Sequence, residues 1–340
     1  MNLTGKTTAG GWLIGERVEF PADHTSGKYS DCFYVSKDGQ RAFLKALNIA
    51  RFELSQLADV LSGFDYEGML LNNCRKERLN RVVQILDSGR IEHDPTQIPI
   101  LRYVPFLVLE LAQGDIRSTI DVSDIVEDSW RFQVLHQTTA ALLQLHKKAI
   151  AHQDLKPSNV LTFDGGVLKL GDLGCSSQQG QPAPHDRAAT PGAFAYAPFE
   201  QRYGYLSPDW IERRISTDVF HLGCLVVFAF TNMCFPMAVM SKLAEPYQPK
   251  NWGDSYLSVA PHVLAAALET LSDISMDFPQ LYRAEITEIV KELCHPMPSE
   301  RGKPRGVSIT TPNRLWLERY VSRFDILMKK ATIKRAQSTA

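Results

Sequence analysis

The sequence carries almost no net charge and few cysteines. Its 37 Lys and Arg nearly balance its 38 Asp and Glu, which gives a formal net charge of −1 and a pI of about 6.8. Because no surplus of basic residues exists to neutralise phosphates along a groove, we expect neither nucleic acid nor an anionic membrane as a partner. The six cysteines include no C-x-x-C pair and form no metal-like cluster with the nine histidines. We therefore expect reduced thiols and a cytoplasmic location.

Long apolar segments are scarce as well. Residues 1–6 lack the apolar core of a secretory signal. The one run of membrane length covers residues 222–240, but Thr231, Asn232 and Pro236 interrupt it, so we expect a buried helix there and no membrane span. What is present is ordinary for a globular protein: 340 residues, of which 44% are hydrophobic and 22% charged. This length suffices for two units with cores of their own, or for one large unit.

The most informative segment contains the letters AHQDLKPSNVL at residues 151–161, and the letters DLG begin eleven residues after its end. Asp154 is a candidate acceptor for the proton of an incoming hydroxyl, and Lys156 is a candidate to lie beside a transferred phosphoryl group. Asn159 and Asp172 offer the oxygen ligands that Mg²⁺ prefers. These side chains at this spacing are typical of phosphoryl transfer, in which the protein mainly orients groups and neutralises charge. The alternative is a loop in which the same residues only form turns.

The segment closely resembles the catalytic loop of eukaryotic-like (Hanks-type) serine/threonine protein kinases, H-R-D-L-K-x-x-N, and its D-L-G resembles their D-F-G. The resemblance extends over roughly residues 12–305. Several motifs lack some of the family's usual residues, and in this they are similar to those of compact bacterial members. It implies an α+β, bilobal protein-kinase-like fold with a small antiparallel-sheet N-lobe and a larger, mainly helical C-lobe. The expected boundaries are 12–112 for the N-lobe, 113–325 for the C-lobe, and 1–11 and 326–340 for flexible or peripheral tails. ATP and Mg²⁺ are the implied cofactors.

Short apolar runs near the N-terminus predict a small antiparallel sheet, with Asp38-Gly39 as a hairpin turn. The segment TSGKYSDC at residues 25–32 resembles the phosphate-covering loop of kinases, G-x-G-x-x-G-x-V. Of the three glycines only Gly27 remains, Ser30 takes the third position and Cys32 the position of the valine. The resemblance assigns these three residues to nucleotide binding, and a plain hairpin is the alternative.

Lys45 resembles the strand lysine of kinases that contacts the α and β phosphates and pairs with a helix glutamate. Phe43, two residues earlier, would lie against the adenine where alanine is common. The adenine pocket is therefore narrower than usual, or the strand is shifted. An exposed strand lysine is the alternative.

Apolar residues recur near the helical period between residues 51 and 79, but Gly63 interrupts them. We expect two helices, with Asp65 capping the second and Glu67 in its first turn. Glu67 is the candidate partner for Lys45, and Glu53 is the second candidate. A solvated charge on a helix surface is the alternative for either glutamate.

Two further apolar runs predict buried strands, at residues 82–89 and 106–111. The second leads into a segment that resembles the kinase hinge. By that resemblance Leu109 guards the pocket behind the adenine, while the carbonyl of Glu110 and the amide of Ala112 pair with the base. Leu161, which follows the catalytic loop, is assigned to the same nucleotide pocket.

The rest of the chain is predominantly helical in pattern, with amphipathic segments at residues 132–145 and 315–334. His152 is expected to brace the catalytic loop from the core. The segment at residues 192–200 resembles the end of a kinase activation segment, in which Glu200 would pair with Arg301. By the same resemblance Asp218 would hydrogen-bond the backbone of the catalytic loop.

We expect an ATP- and Mg²⁺-dependent serine/threonine protein kinase that acts on protein substrates, since Lys156 is the family feature that favours Ser and Thr hydroxyls. A pseudokinase that serves as a nucleotide-binding scaffold is the first alternative, which the sparse glycines, Phe43, Ala193 and Gln153 favour. A phosphotransferase acting on a small molecule is the second. Oligomeric state is left open.

Gln153 replaces the arginine that binds an activation-loop phosphate in the family. We therefore predict that activity does not require phosphorylation of Ser176, Ser177 or Thr190.

Overall fold

The computed structural model describes residues 1–19, 29–122, 127–302 and 315–339. Within these residues the strands are β1 (Leu13–Arg17), β2 (Ser30–Lys37), β3 (Gln40–Leu47), β4 (Ile85–Glu92), β5 (Tyr103–Glu110), β6 (Gly114–Asp115), β7 (Ile150–Ala151), β8 (Val160–Phe163), β9 (Val167–Leu170) and β10 (Ser177–Gln178). The α-helices are α1 (Leu57–Lys76), α2 (Pro99–Arg102), α3 (Ile116–Val122), α4 (Asp128–His146), α5 (Phe199–Arg202), α6 (Ser216–Thr231), α7 (Phe235–Lys242), α8 (Tyr256–Ile274), α9 (Arg283–Leu293) and α10 (Glu318–Thr339).

The chain divides into two units. The first contains Met1–Asp115 and Leu161–Gly174, and the second contains Ile116–Val160 and Cys175–Ala340. Residues 161–174, which the sequence assigned to the C-lobe, join the first unit because β8 pairs with β6 and the N–H of Val83 donates to the carbonyl of Leu170 at 2.8 Å. The first unit is mainly sheet and the second mainly helix, so the predicted α+β class is confirmed.

An antiparallel sheet of order β1-β2-β3-β5-β4 forms the first unit. Its β2–β3 hairpin turns at Asp38 and Gly39, whose φ angles of 49° and 80° fit the two-residue turns of tight hairpins. In β3, Ala42, Leu44 and Ala46 on one face are fully buried, while Phe43 and Lys45 on the other face are half-buried. The predicted small antiparallel sheet and its hairpin are confirmed.

Helix α1 is continuous from Leu57 to Lys76 and runs through Gly63. The prediction of two helices in this region is therefore wrong. A glycine inside a helix costs only about 1 kcal/mol relative to alanine, which the packing of a long helix outweighs. Asp65 is not a cap but faces Arg90, at 2.8 Å between Oδ2 and Nη2. Glu67 consequently lies in the third turn of α1.

Residues 1–11 are packed against the sheet instead of forming the flexible or peripheral tail expected there. Leu3 is fully buried, and the N–H of Gly5 donates to the carbonyl of Ile14 at 2.8 Å. The ammonium of Lys6 reaches the carbonyl of Glu92 at 2.6 Å. These contacts connect residues 1–11 to both edge strands of the sheet, β1 and β4. The two strands lie near this segment only in the folded chain.

The apolar run at residues 222–240 forms parts of two helices instead of one. Helix α6 ends at Thr231, and Asn232 follows in the left-handed conformation with a φ of 56°. Pro236 then lies in the first turn of α7, where a proline is tolerated. Among the described residues one helical stretch, Ile211–Thr231, is long and apolar enough to cross a membrane, and 94% of its apolar window is buried within the protein.

Helix α10 confirms the amphipathic helix expected near the C-terminus and packs along α4. Its buried residues are Tyr320, Phe324, Leu327 and Ala331, at the spacing of one helix face. Arg323 secures the helix to α9 through Glu292, at 2.6 Å between Nη1 and Oε2. The flexible or peripheral tail expected at residues 326–340 is helical up to Thr339, because the apolar face of α10 continues to Ala331.

Candidate active site

Lys45 is the centre of an ionic cluster in the first unit. Its ammonium lies 2.9 Å from each carboxylate oxygen of Glu67 and 2.9 Å from Asp172 Oδ1. The Glu67 side chain is 4% exposed, so this pair is largely shielded from water. The predicted Lys45–Glu67 pair is formed, whereas Glu53 precedes α1. Because Lys45 itself reaches Glu67, strand β3 is not shifted.

Electrostatics keep Lys45 in its charged form. Burial favours the neutral amine, but the carboxylates of Asp172 and Glu67 outweigh it and raise the pKa of Lys45 above its usual range. Burial also raises the pKa of Glu67, an effect that Lys45 opposes. Lys45 therefore keeps its positive charge on β3, which suits this side chain to position an anionic phosphate.

The residues assigned to the nucleotide share one face of the sheet. Cys32 on β2 lies opposite Lys45, and Phe43 on β3 lies opposite Leu109 on β5. Since side chains alternate along a strand, this register also places Ser30 on that face. Burial raises the pKa of Cys32 to about 12, so the residue is an uncharged thiol at neutral pH. Gly27 lies outside the described residues.

The hinge-like segment after β5 combines an anchored glutamate with an available amide. Glu110 accepts two hydrogen bonds from Lys169, at 2.7 and 2.6 Å, and one from the N–H of Gln84 at 2.7 Å. In the part of the chain that the structure describes, the N–H of Ala112 donates to no other residue. A half-buried amide without a partner is the kind of group that pairs with a nitrogen of a heterocyclic base.

Asp172 adopts a strained backbone conformation beside Leu161. Its φ of 57° lies in the left-handed region. Residues other than glycine rarely adopt this backbone conformation, and those that do occur preferentially at functional positions. Leu161 packs on the residue before it, since a Cβ added to Gly171 would meet the Leu161 side chain at 2.8 Å. The carboxylate of Asp172 is 41% exposed, so water or an ion has access to it.

In the second unit, the carboxylate of Asp218 holds the backbone of the catalytic loop. Its carboxylate accepts hydrogen bonds from the backbone N–H groups of His152 and Gln153, both at 2.7 Å, and from His146 Nε2 at 2.8 Å. Burial opposes the anion, but these bonds and the nearby imidazoles outweigh it and lower the pKa of Asp218. The loop residue Gln153 has a φ of 62°. The predicted roles of Asp218 and of the fully buried His152 are confirmed.

Asp154 is held by three neighbours. Its Oδ2 accepts hydrogen bonds from Lys156 Nζ at 2.7 Å and from Asn159 Nδ2 at 3.2 Å, and its Oδ1 accepts one from the N–H of Ala193 at 2.7 Å. The Asp154 and Lys156 side chains are 6% and 8% exposed. A carboxylate fixed in this way has a defined direction, and the adjacent ammonium neutralises negative charge that develops beside it.

The two polar atoms of the Asn159 side chain differ in their contacts. Its Nδ2 donates to both the carbonyl and the side chain of Asp154, at 2.8 and 3.2 Å. Its Oδ1 accepts no hydrogen bond from any residue that the structure describes. Since Mg²⁺ prefers oxygen ligands, this carboxamide oxygen and the carboxylate of Asp172 are chemically suited to it.

Gly192 lies against the catalytic loop so closely that only glycine fits. A Cβ at this position would lie 2.5 Å from the carbonyl oxygen of Gln153 and 2.8 Å from Asp154 Oδ1. Gly192 lies in the segment at residues 192–200 that resembles the end of a kinase activation segment, but the sequence analysis assigned it no role. Its signal in the sequence is the glycine itself, placed between a proline and an alanine.

The predicted Glu200–Arg301 pair is formed and lies entirely inside the second unit. Arg301 Nη1 donates to Glu200 Oε1 at 2.8 Å, and Nη2 donates to Oε2 of the same carboxylate. Arg301 also donates to the carbonyl of His295 at 2.9 Å and stacks on Phe220, with 4.8 Å between the guanidinium and the ring centre. These partners offset the cost of burying a charge and fix the segment that follows Gly192.

A family model described as the protein kinase domain matches residues 26–307. The chain belongs to the protein kinase domain family. The matched range includes both the ionic cluster at Lys45 and the catalytic loop around Asp154.

Relatives of this kinase domain occur in animals and bacteria. It is 22% identical over 297 residues to Aurora kinase A-A of Xenopus laevis, which covers 87% of this chain and 61% of the relative. It is 24% identical over 246 residues to a probable serine/threonine-protein kinase PknB of Corynebacterium glutamicum, with coverage of 70% and 34%. Identity to Aurora kinase B of Mus musculus is 24% over 236 residues, with coverage of 68% and 57%. The chain thus spans between 34% and 61% of the length of these relatives.

Sequence reasoning on this kinase domain did not find the ion pair between the buried Arg214 and the partly exposed Asp186. Arg214 lies in the π-helical turn Ile211–Ile215 before α6, and Asp186 lies in the activation segment. Neither residue lies in one of the motifs identified in the sequence, and no periodicity marks them. Charged letters in a polar segment are usually solvated, so the sequence alone held no signal for this pair.

Proposed function

We propose that this protein is a serine/threonine protein kinase that uses ATP and Mg²⁺. The observation that carries the proposal is the fixed carboxylate of Asp154, held by Lys156, Asn159 and the amide of Ala193. Membership of the protein kinase family and similarity to serine/threonine kinases support the choice of a protein hydroxyl as acceptor.

In the proposed reaction the acceptor oxygen forms a bond to the γ-phosphorus of ATP, and the bond from that phosphorus to the β,γ-bridging oxygen breaks. Asp154 takes the proton of the acceptor hydroxyl on its carboxylate. Lys156, 2.7 Å from that carboxylate, neutralises charge on the transferred group and keeps the base oriented. Mg²⁺ neutralises phosphate charge when bound, and Asn159 Oδ1 and Asp172 are the oxygen ligands that this chain offers to it.

The nucleotide would be held by residues of the first unit. Lys45 carries the positive charge for the α and β phosphates, and Glu67 fixes the direction of its side chain. The N–H of Ala112 suits a base nitrogen, and Phe43 and Leu109 supply apolar surface beside it. Phe43 occupies more volume than the alanine common at its position, so we expect a narrower adenine site.

The charged cluster at Lys45 favours a working enzyme over an inactive scaffold. A scaffold has no chemical need for a lysine held by two carboxylates, since keeping the buried Glu67 charged next to Lys45 is costly unless the geometry of the pair is maintained. The family match also favours the enzyme.

The decisive experiment is incubation with γ-labelled ATP and Mg²⁺, with label measured on the protein and on added protein substrates. Two variants accompany the parent, Asp154→Asn and Asp172→Ala. The matched control is Asp273→Asn, which alters an exposed carboxylate on α8 that pairs with Lys242.

We expect label with the parent and the control, and little with either site variant. Phosphoamino-acid analysis should find phosphoserine or phosphothreonine. Absence of label with the parent, or equal label with Asp154→Asn, would refute the proposal. Label on a small-molecule hydroxyl alone would favour the phosphotransferase alternative.

The proposal includes a cytoplasmic location. Its support is that all six cysteines, each of which the structure describes, are thiols outside any disulfide, which suits a reducing compartment.

A further inference from the structure

A buried guanidinium joins the activation segment to the catalytic loop. The Arg214 side chain is 3% exposed, and its Nη1 donates to Gln153 Oε1 at 2.6 Å. Its Nη2 donates to the carboxylate of Asp186 at 2.9 Å and to the carbonyl of the same residue at 3.1 Å. One cation therefore contacts both a residue next to the base Asp154 and a residue 28 positions away in the activation segment.

Burial makes this pair energetically consequential. A guanidinium removed from water is stable only when an anion and hydrogen-bond acceptors replace its hydration. The carboxylate of Asp186 is such an anion, and the Asp186 side chain is itself 39% exposed. Loss of that carboxylate would remove this counter-charge from the buried Arg214 and would loosen the segment that carries Asp186.

Asp186 also cross-links the activation segment internally. Its Oδ2 accepts a hydrogen bond from the N–H of Ala183 at 2.8 Å, and its Oδ1 accepts one from Ser177 Oγ at 3.5 Å. The carbonyl of Asp186 receives a further hydrogen bond from Arg213. A single acidic residue thus connects the start of the segment, its middle and the helical turn before α6.

Gln153 transmits the contact toward the base. Its backbone is held in the left-handed region, with a φ of 62°, by the bond from its N–H to Asp218. Its Nε2 donates to the carbonyl of Cys175 at 2.7 Å, while its Oε1 receives Arg214. The side chain is therefore oriented at both ends, and Asp154 follows it directly in the chain.

We infer that Asp186 is a permanent anionic latch, which pairs with Arg214 and keeps the activation segment ordered without phosphorylation. The residue is a positioning residue, since it acts on Asp154 through Arg214 and Gln153. This inference rests on the proposed kinase function for its effect on turnover, but its structural part stands independently. The neighbouring hydroxyls suit this assignment, because Ser176 and Ser177 are buried and a kinase has no access to them.

The test uses the full chain after phosphatase treatment, compared with three variants. Asp186→Asn keeps the shape and removes the charge, Asp186→Glu restores the charge, and Asp273→Asn removes an exposed carboxylate elsewhere in the second unit. The readouts are kcat, KM for ATP, and hydrogen–deuterium exchange of peptides from residues 175–192.

We expect the phosphatase-treated parent to retain its kcat. Asp186→Asn should lower kcat by about 10- to 100-fold, because a small displacement of catalytic groups has effects of this size. KM for ATP should stay near the parent value, since the nucleotide residues lie in the first unit. Exchange in residues 175–192 should increase in Asp186→Asn, return toward the parent in Asp186→Glu, and not change in Asp273→Asn.

A double variant guards against misfolding as an explanation. In Asp186→Asn/Arg214→Gln no buried charge is left unpaired, so we expect thermal stability close to the parent but the same fall in kcat as in the single variant. The inference is overturned if Asp186→Asn keeps both the kcat and the exchange of the parent, or if phosphatase treatment abolishes activity. Should the parent transfer no phosphate at all, the proposed function fails, and the exchange measurement alone then decides whether the latch exists.

Discussion

The backbone amide of Ala193 donates a hydrogen bond to Asp154 Oδ1 at 2.7 Å, across 39 positions of the chain. The kinase family usually has threonine where Ala193 stands, and its absence was an argument for an inactive protein. Because the backbone makes this contact, the loss of a side-chain hydroxyl does not release Asp154 from the activation segment. Ala193 is therefore compatible with a positioned base.

Replacing the base tests its role directly. Asp154→Asn should lower the phosphorylation rate by about 10²–10⁴-fold, because the amide cannot take the proton of the acceptor hydroxyl. Affinity for ATP should be nearly kept, since the residues assigned to the nucleotide lie in the first unit. Steady-state kinetics and ATP titration measure the two quantities. A variant as fast as the parent would contradict the role of Asp154.

Removing the charge of Glu67 should impair the positioning of Lys45. Glu67→Gln preserves shape but replaces a hydrogen bond to a charged group, which is worth about 1.5–3 kcal/mol, so we expect kcat/KM to fall at least about tenfold. The matched control is Asp65→Asn on the same helix, whose carboxylate is exposed and pairs with the exposed Arg90. Equal kinetics of the two variants would count against the Lys45–Glu67 pair as a functional unit.

Gly192 should tolerate no side chain. Gly192→Ala would place a methyl group 2.5 Å from the carbonyl oxygen of Gln153, so the catalytic loop or the activation segment must move. We expect loss of most activity in kinetic assays, with the chain still folded by circular dichroism. Gly63→Ala is the control, since its Cβ meets nothing within 4 Å on α1, and it should stabilise the protein by up to about 1 kcal/mol. Full activity of Gly192→Ala would show that the segment is not held as described.

The stability of the fold should depend on pH through His221. Burial lowers the pKa of this histidine from 6.5 to about 4, although the nearby carboxylates of Asp218 and Asp154 oppose the shift. The unfolded chain therefore takes up a proton on His221 near pH 6.5 and the folded chain only near pH 4. The contribution of His221 to the free energy of unfolding is fully present above pH 6.5. It decreases by about 3 kcal/mol as the pH falls from 6.5 toward 4.

Denaturant unfolding at several pH values measures this effect. His221→Gln removes the titrating group, so its stability should decline less than that of the parent between pH 6.5 and 4. Parallel curves for the two proteins would show that His221 does not titrate differently on folding.

Alanine at the hydroxyl positions of the activation segment should change turnover little. Ser176→Ala, Ser177→Ala and Thr190→Ala test the prediction that activity needs no phosphorylation there. Glutamate at Ser176 or Ser177 would not be a neutral substitution, because both side chains are buried and a carboxylate would lose its hydration. Thr190→Glu remains informative. A large loss of turnover in the alanine variants, measured with γ-labelled ATP, would refute the prediction.

Much of the site could be predicted from short stretches of sequence. The catalytic loop, Lys45 and the Asp38-Gly39 hairpin depend on residues close together in the chain, whose spacing is fixed by local backbone geometry. The pair of Glu200 and Arg301 was accessible only through family resemblance, since 101 positions separate the two residues.

Other features were decided by contacts that no local pattern encodes. The continuity of α1 through Gly63 depends on tertiary packing, which outweighs the weak helix propensity of one glycine. The packing of residues 1–11 depends on edge strands that are formed far along the chain.

By itself, the sequence determined the kind of chemistry, because the acid, amide and lysine side chains of phosphoryl transfer are recognisable by type and spacing. Only the tertiary structure decided which groups hold them. Arg214, Asp186 and Gly192 acquire their roles through burial and close approach, and both are properties of the folded chain that distant residues create together.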